Sequence, residues 1–175
     1  MTGWNAEIAE WYAEKYGEYP TNRLAVDRLE LAADAVVLDV GCGTGAALRR
    51  AAERLTSGRL IGVDPVPRML EIARERAGDV TLDLREGSAN ALPLEDQSCD
   101  VVLAFDSMDH WDDVAEGLAE IRRVMRPGGR VLIVKDLGMP AATSVAQALD
   151  DAGFRVLEEY QVEEDAVHFA MWLAA

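Results

Sequence analysis

The stretch Val37–Gly45, "VLDVGCGTG", places three glycines, each separated by one residue, directly after a run of aliphatic residues. Glycine inside a strand or helix costs roughly 0.5–1 kcal/mol relative to alanine, so three of them need a structural reason. A turn that leads from a strand into a helix and lets a ligand touch the backbone supplies that reason. We therefore predict a ligand-binding loop at residues 41–45.

On both sides of this loop, strand-like and helix-like patterns alternate along the chain. The strand-like runs are 35–40, 59–64, 80–87, 99–106 and 129–136, and the helical patterns lie at about 45–56, 67–77, 112–125 and 141–152. This alternation predicts an α/β fold with a parallel sheet covered by helices on both faces. The segment "RPGG" at 126–129 is interpreted as a turn before the fifth strand.

Both ends of the chain depart from this alternation. The segments 154–162 and 166–175 are strand-like and joined by the short turn 163–165, which permits only an antiparallel hairpin. Before the first strand, two amphipathic helices are predicted at 5–17 and 22–32. We expect one domain, 1–175, with a helical cap at 1–33 and a core at 34–175.

Composition excludes several classes of function. The chain of 175 residues carries 32 acidic and 17 basic side chains, a net charge of −15, which argues against a nucleic-acid partner. Cys42 and Cys99 are too few for a disulfide framework or a four-cysteine zinc site, and no metal is predicted. Without a basic leader or an apolar run of about 20 residues, we expect a cytoplasmic protein with no membrane partner.

Two acids mark the predicted ligand site. Asp39 precedes the first glycine by two residues, where it either meets a cationic ligand group such as an amino-acid ammonium or fixes the N–H groups of the loop. Asp64 ends the second strand, 19 residues past Gly45, where an acid typically binds ribose hydroxyls, the alternative being a helix N-cap. Val63, Pro65 and Met69 are candidates for the apolar walls of an adenine site.

Five segments in order carry a family resemblance. They are "VLDVGCGTG", "GVDPVPRMLEIARERA", "EGSANALPLEDQSCDVVLAFDSMDHW", "LAEIRRVMRPGGRVLIV" and "DDAGFRVLEE". The chain resembles the class I S-adenosylmethionine-dependent methyltransferases, and most closely the UbiE-like or type 11 methyltransferase domains. The resemblance extends over roughly residues 4–173.

The resemblance implies a Rossmann-like sheet of seven strands in the order 3-2-1-4-5-7-6, with strand 7 antiparallel. It also implies S-adenosylmethionine as the cofactor. The residues it assigns to the methionine end are Asp39, Gly41, Cys42, Gly43 and Gly45, those assigned to the adenosine end are Asp64, Pro65, Met69, Ser88 and Ala89, and those on neighbouring elements are Ala104, Phe105 and Tyr16. Ser88 stands where the family usually has an aspartate, so we expect weakened or water-bridged adenine recognition.

The loop after the fourth strand, "AFDSMDHWDD", is where a general base would lie. Asp106, Asp109 and His110 are the titratable candidates, and we favour His110, with Asp106 second, because imidazole titrates near neutrality. Helix capping by the acids is the alternative. Trp111 would stack on a substrate or close the pocket.

The N-terminal aromatic residues, and a histidine near the end of the chain, can each be interpreted in two ways. Among the N-terminal aromatic residues, Tyr12, Tyr16 and Tyr19 either contact the cofactor or pack the helix, and packing accounts for Trp11. His168 and Trp172 are interpreted as core or surface residues.

These observations predict S-adenosylmethionine-dependent methyl transfer to a small-molecule acceptor, with or without a general base. Two alternatives stay open on the sequence. One is a non-catalytic domain that binds S-adenosylmethionine or S-adenosylhomocysteine. The other is a nicotinamide-dependent oxidoreductase, against which the acid at position 39 argues.

Overall fold

The computed structural model describes residues 4–138, 144–164 and 166–175. The helices are α1 (Ala6–Tyr16), α2 (Pro20–Val26), α3 (Ala46–Ala52), α4 (Pro67–Arg76), α5 (Val114–Val124) and α6 (Val145–Asp151), with a 3-10 helix at Met108–His110. The strands are β1 (Val36–Val40), β2 (Arg59–Asp64), β3 (Asp83–Glu86), β4 (Cys99–Phe105), β5 (Met125–Asp136), β6 (Val156–Glu164) and β7 (Val167–Ala174). Within these ranges, no helix has both the length and the apolar character needed to cross a bilayer.

The seven strands form one sheet in the order β3-β2-β1-β4-β5-β7-β6, which confirms the predicted topology. The first five strands pair in parallel, whereas β7 is antiparallel to both β5 and β6. A parallel sheet of this kind brings the carboxyl ends of β1, β2 and β4 to one edge. The acids at the ends of these strands therefore lie close together.

Each face of the sheet carries its own apolar core. Leu38, Val102 and Ile133 belong to the core under α5 and α6, and Val37, Leu103 and Leu132 belong to the core under α2 and α3. Neighbouring residues of a strand point to opposite faces, which is why these strands read as continuous apolar runs.

Two boundaries differ from the sequence prediction for visible reasons. Helix α2 covers 20–26 rather than 22–32, because Pro20 occupies its first turn, where proline is favoured. Strand β5 begins at Met125, and residues 126–129 bulge within it rather than forming a turn before it. Its register with β4 jumps from Cys99–Met125 to Val101–Arg130.

The hairpin at the end of the chain is longer than predicted. Glu163 and Glu164 belong to β6 and pair with His168 and Val167, so only 165–166 connect the strands. Position 165 and the start of the predicted helix at 141–143 lie outside the described residues.

The two N-terminal helices are fastened to the core by polar contacts. Arg68 of α4 pairs with Glu10 of α1, and Arg50 of α3 pairs with Asp27 after α2. Thr44 of the glycine loop donates its hydroxyl to the carbonyl of Gly17 at 2.7 Å. The end of α1 is thus hydrogen-bonded directly to the glycine loop.

Candidate active site

The glycine loop is closed on one side and open on the other. Gly41 has a φ of +74°, and a Cβ there would lie 2.5 Å from Cβ of Ser107, so no larger residue fits. Gly43 has a φ of +49°, and a Cβ there would meet no atom within 4 Å. The backbone at Gly43 therefore faces open space, as a loop that receives a ligand requires.

Asp64 shapes this loop. Its carboxylate accepts from Gly43 N–H and from Val66 N–H, both at 2.9 Å, and the residue is only 6% exposed. Burial raises the pKa of Asp64, and the two N–H donors oppose that shift. The N-cap of α4 is Val66, so Asp64 is not the helix cap considered above. One of the two roles considered for Asp39 was to fix the N–H groups of the glycine loop. In the structure, Asp64 has that role.

Asp39 differs from Asp64 in its hydrogen bonding and in its protonation. It is 2% exposed, and its Oδ1 has no hydrogen-bond partner. Burial, and then the charge of Asp64, raise the pKa of Asp39 to about 8. A carboxyl group in this state is mostly protonated at neutral pH and ionises when a cation arrives.

Two adjoining cavities lie at the carboxyl edge of the sheet, one of about 280 Å³ and one of about 450 Å³. Both are lined by Tyr12, Gly41, Gly43, Phe105 and Asp106. These five residues mark the junction between the first, smaller cavity and the second, larger one.

The structure brings most of the sequence-predicted residues to these cavities. Those found in the first cavity alone are Asp64, Pro65, Met69, Ser88, Ala89 and His110, and those in the second alone are Asp39, Cys42 and Tyr16. Gly45 and Ala104 line neither: Gly45 is the N-cap of α3, and Ala104 is a core residue of β4. Val63 is also a core residue, 1% exposed.

Asn90 lines the first cavity. Its Nδ2 donates to the carbonyl of Asp113 at 2.6 Å, while its buried Oδ1 has no partner. The indole Nε1 of Trp111 is also buried without a hydrogen-bond partner. The ring of Trp111 packs on Gly117, where an added Cβ would lie 2.5 Å from a ring carbon. Trp111 therefore forms a wall of the first cavity.

Asp106 stands at the junction in a constrained conformation. Its φ is +48°, uncommon for a residue with a side chain, and its Oδ1 accepts from Asp136 N–H at 2.6 Å. Burial raises the pKa of Asp106. His110 is an exposed residue of the 3-10 helix and lines only the first of the two cavities, with its ring 6.0 Å from that of Trp4.

Sequence reasoning missed Lys135, near the end of β5. Only 7% of this lysine is exposed, and its ammonium forms an ion pair with Asp109 of the 3-10 helix. Burial lowers the pKa of Lys135. The sequence did contain a signal for Lys135. The strand "VLIVKD" ends in two charged residues, and the carboxyl end of a strand in such a sheet lies at the ligand-binding edge.

A row of aromatic rings runs along the cleft from α1. The ring centroids of Trp4 and Tyr12 are 5.4 Å apart, those of Tyr12 and Tyr16 are 5.3 Å apart, and those of Tyr16 and Tyr19 are 5.8 Å apart. Trp11 is 54% exposed and its ring centroid lies 5.8 Å from that of Tyr16, so it packs along α1 rather than on the sheet.

The two residues of the last strand differ in their surroundings. Trp172 is 9% exposed and belongs to the core, as predicted. His168 is exposed and lines the second cavity.

The sheet order and the cleft around the glycine loop define a Rossmann-like enzyme fold that binds a nucleotide cofactor. Residues 38–133, more than half of the chain, match the family described as "Methyltransferase domain", and the chain belongs to that family. The cofactor that this family implies is S-adenosylmethionine. Membership of the family argues against the oxidoreductase alternative.

Relatives carry methyltransferase names, and a solved structure shares the fold. An uncharacterized methyltransferase of Mycobacterium tuberculosis is 41% identical over 110 residues, 63% of this chain and 43% of the relative. Demethylmenaquinone methyltransferase of Deinococcus radiodurans is 41% identical over 101 residues, 57% of this chain and 42% of the relative. The chain thus spans less than half the length of both. A SAM-dependent methyltransferase from Aquifex aeolicus shares the fold, with a TM-score of 0.83 at 18% identity over 98% of each chain.

Proposed function

We propose that this enzyme methylates a small molecule, with the cofactor lying across both cavities. The adenosine would occupy the first cavity, beside Asp64, Pro65, Met69, Ser88 and Ala89, and the aminoacyl tail would enter the second, beside Asp39. The reacting methyl group would then lie at the junction, next to Tyr12 and Asp106.

The residues present fit the cofactor. The observation that carries the proposal is the buried Asp39 carboxyl, whose Oδ1 has no hydrogen-bond partner in the protein and which lines the same cavity as the open backbone of Gly43. An unpartnered buried polar atom needs a hydrogen-bond donor, and an amino-acid ammonium supplies three. Asp64 keeps lone pairs for ribose hydroxyls, since each of its oxygens accepts one N–H from the protein.

When bound, S-adenosylmethionine supplies a methyl group on a positively charged sulfur. The protein then has to orient the acceptor and, where the acceptor carries a proton of high pKa, remove that proton. The geometry favours Asp106 over His110 for this step, because Asp106 lines both cavities and has a raised pKa. Tyr12, at the same junction, would orient the acceptor.

The size and surroundings of the second cavity support a small acceptor. Its volume of about 450 Å³ falls in the range of roughly 300–1,000 Å³ common for small-ligand sites. Tyr16, Tyr19 and Asn22, from the N-terminal helical region, form its outer wall, which supports the proposed cap. A cytoplasmic location and the lack of a nucleic-acid partner stay predictions from composition.

The test combines binding with turnover. Isothermal titration should detect S-adenosylhomocysteine, and incubation with methyl-labelled S-adenosylmethionine should transfer label to compounds in a small-molecule extract but not to RNA or protein fractions. Label found only in macromolecules would overturn the small-molecule proposal. Binding without transfer to any fraction would instead support a non-catalytic role.

A further inference from the structure

The part of the second cavity away from the glycine loop has a distinct chemistry. Its walls carry Tyr16, Tyr19 and Asp136, together with Tyr12 and Asp106 at the junction with the first cavity. Among the described residues that line it, none is a lysine or an arginine. A ligand in this part meets aromatic rings and negative charge but no basic side chain other than His168.

The two carboxylates are held next to each other by the backbone. Asp106 accepts from the N–H of Asp136, and Asp136 in turn accepts from the N–H of Gly138 at 2.7 Å. Lys135 pairs with Asp109, and its charge partly offsets the rise in the pKa of Asp106. It does not neutralise Asp136, because neighbouring residues of β5 point to opposite faces.

The nearby carboxylates help to raise the pKa values of two tyrosines. Burial, and then the charges of Asp106, Tyr16, Asp64 and Asp136, raise the pKa of Tyr12 to about 12. The pKa of Tyr19 is raised by burial and then by Asp136. These phenols therefore stay protonated, and their rings stand in a region that favours a cation.

Thr21 gives a separate indication of a polar ligand. This residue lines the same cavity, is 2% exposed, and its Oγ1 has no hydrogen-bond partner. Asp39, the other unpartnered group of the cavity, is accounted for by the cofactor under the proposed function. Thr21 is left with an unused hydroxyl in this cavity.

We propose that the acceptor is a small molecule with a basic amine, held as an ammonium by Asp106 and Asp136 against the faces of the tyrosine rings. Carboxylates and aromatic faces both attract an ammonium group, the latter by cation–π attraction. This inference rests on the proposed function and names its substrate class.

The transfer step balances with the groups at the junction. The bound ammonium gives one proton to the Asp106 carboxylate, which leaves a neutral amine with a free lone pair. That pair forms the new N–C bond as the S–C bond breaks, and its electrons stay on sulfur. The products are an N-methylammonium and S-adenosylhomocysteine, and Asp106 returns its proton to solvent.

The test uses the full chain saturated with S-adenosylhomocysteine and matched probes: phenethylamine, 2-phenylethanol and phenylacetate, with the benzyl and indolylethyl series alongside. Titration calorimetry should show that the amine in at least one series binds about tenfold or more tighter than its alcohol and carboxylate. An alcohol or carboxylate that binds as tightly as its amine in every series, or no probe binding at all, overturns the proposal. If S-adenosylhomocysteine itself does not bind, the proposed function fails instead.

A pair of variants locates the effect. Asp136→Asn should weaken amine binding about tenfold while the affinity for S-adenosylhomocysteine stays within about twofold. Glu159→Gln removes the same charge from exposed strand β6, and its amine affinity should equal that of the parent protein. Equal losses in both variants would mean that only the overall charge of the molecule attracts the amine, and would overturn the assigned site.

Discussion

Asp39 and Asp64 are both buried acids at the ends of neighbouring strands, yet their surroundings differ. Asp64 accepts two backbone N–H groups, whereas Asp39 Oδ1 accepts none. The sequence predicted that both acids belong to one site, because parallel strands end at the same edge. Which of the two fixes the loop depends on hydrogen-bond directions, which residue spacing does not specify.

The pKa of Asp39 gives a prediction for stability. Since the folded chain holds a proton on Asp39 up to about pH 8, against a usual value of 3.8, the folded state binds more protons over that interval and the free energy of unfolding falls as pH rises through it. Asp39→Asn removes this group and should be more stable than the parent at pH 8.5 by about 1–2 kcal/mol, with a smaller gain at pH 5. Urea unfolding at both pH values measures this, and parallel pH profiles would contradict it.

Asp64 gives a prediction for binding. Asp64→Ala removes a charged acceptor and the tie to Gly43, so the affinity for S-adenosylhomocysteine should fall by about 1.5–3 kcal/mol. Titration calorimetry measures the loss. Asp79→Ala, an exposed acid after α4, is the matched control and should leave the affinity unchanged. Equal affinity of Asp64→Ala and the parent would remove Asp64 from the ligand site.

At the scale of elements, the carboxyl ends of β4 and β5 are joined by side-chain contacts. The loop after β4 is held to β5 by the Asp106–Asp136 hydrogen bond and by the ion pair of Asp109 with Lys135. The sequence placed Asp106 and His110 on this loop, but Lys135 looked like the end of an apolar strand. Its pairing is long-range, so only the register of β4 with β5 reveals it.

Lys135→Met tests this connection. The change leaves the partly buried carboxylate of Asp109 without its cationic partner, so the free energy of unfolding should fall, because removing one side of such a pair leaves the other charge uncompensated. The 3-10 helix should loosen, and amide exchange at residues 108–111 should speed up about tenfold, the effect of losing about 1.4 kcal/mol of local stability. Hydrogen exchange with mass spectrometry measures it, with Lys135→Arg expected to retain slow exchange. Unchanged exchange in the Met variant would contradict the role.

Contacts between elements also explain which strand boundaries can be predicted from the sequence. Strand β2 follows its apolar run from 59 to 64 in full, because both of its neighbours cover it. Strand β5 starts four residues early, because Arg126 reaches Asp100 across the bulge and holds the chain in the sheet. Such a side-chain pair acts between distant segments, which local patterns do not record.

For the whole molecule, the feature that matters is how the N-terminal helices cover the cleft. Thr44 and Arg76 both bond to backbone carbonyls at the end of α1, at Gly17 and Ala13. The sequence predicted helices at this end, but not the threonine contact, because "GTG" reads as part of the ligand loop.

Thr44→Val should loosen this attachment. The change leaves the Gly17 carbonyl without its donor, which costs about 1–3 kcal/mol for a buried acceptor. Trypsin cleavage at Lys15 or Arg23 should then be faster than in the parent protein and slow again when S-adenosylhomocysteine is added. Thr56→Val, at an exposed threonine, is the control. Equal cleavage rates in all three proteins would contradict the attachment.

Strand β6 has one more consequence, which concerns neighbouring molecules. It is the outermost strand of the sheet, and Glu158, Glu159, Glu163 and Glu164 are exposed along it. An outermost strand offers unpaired backbone groups on which another chain could add its own strand. A line of like charges opposes such pairing between two copies of this chain, because the same charges would face one another across the new contact.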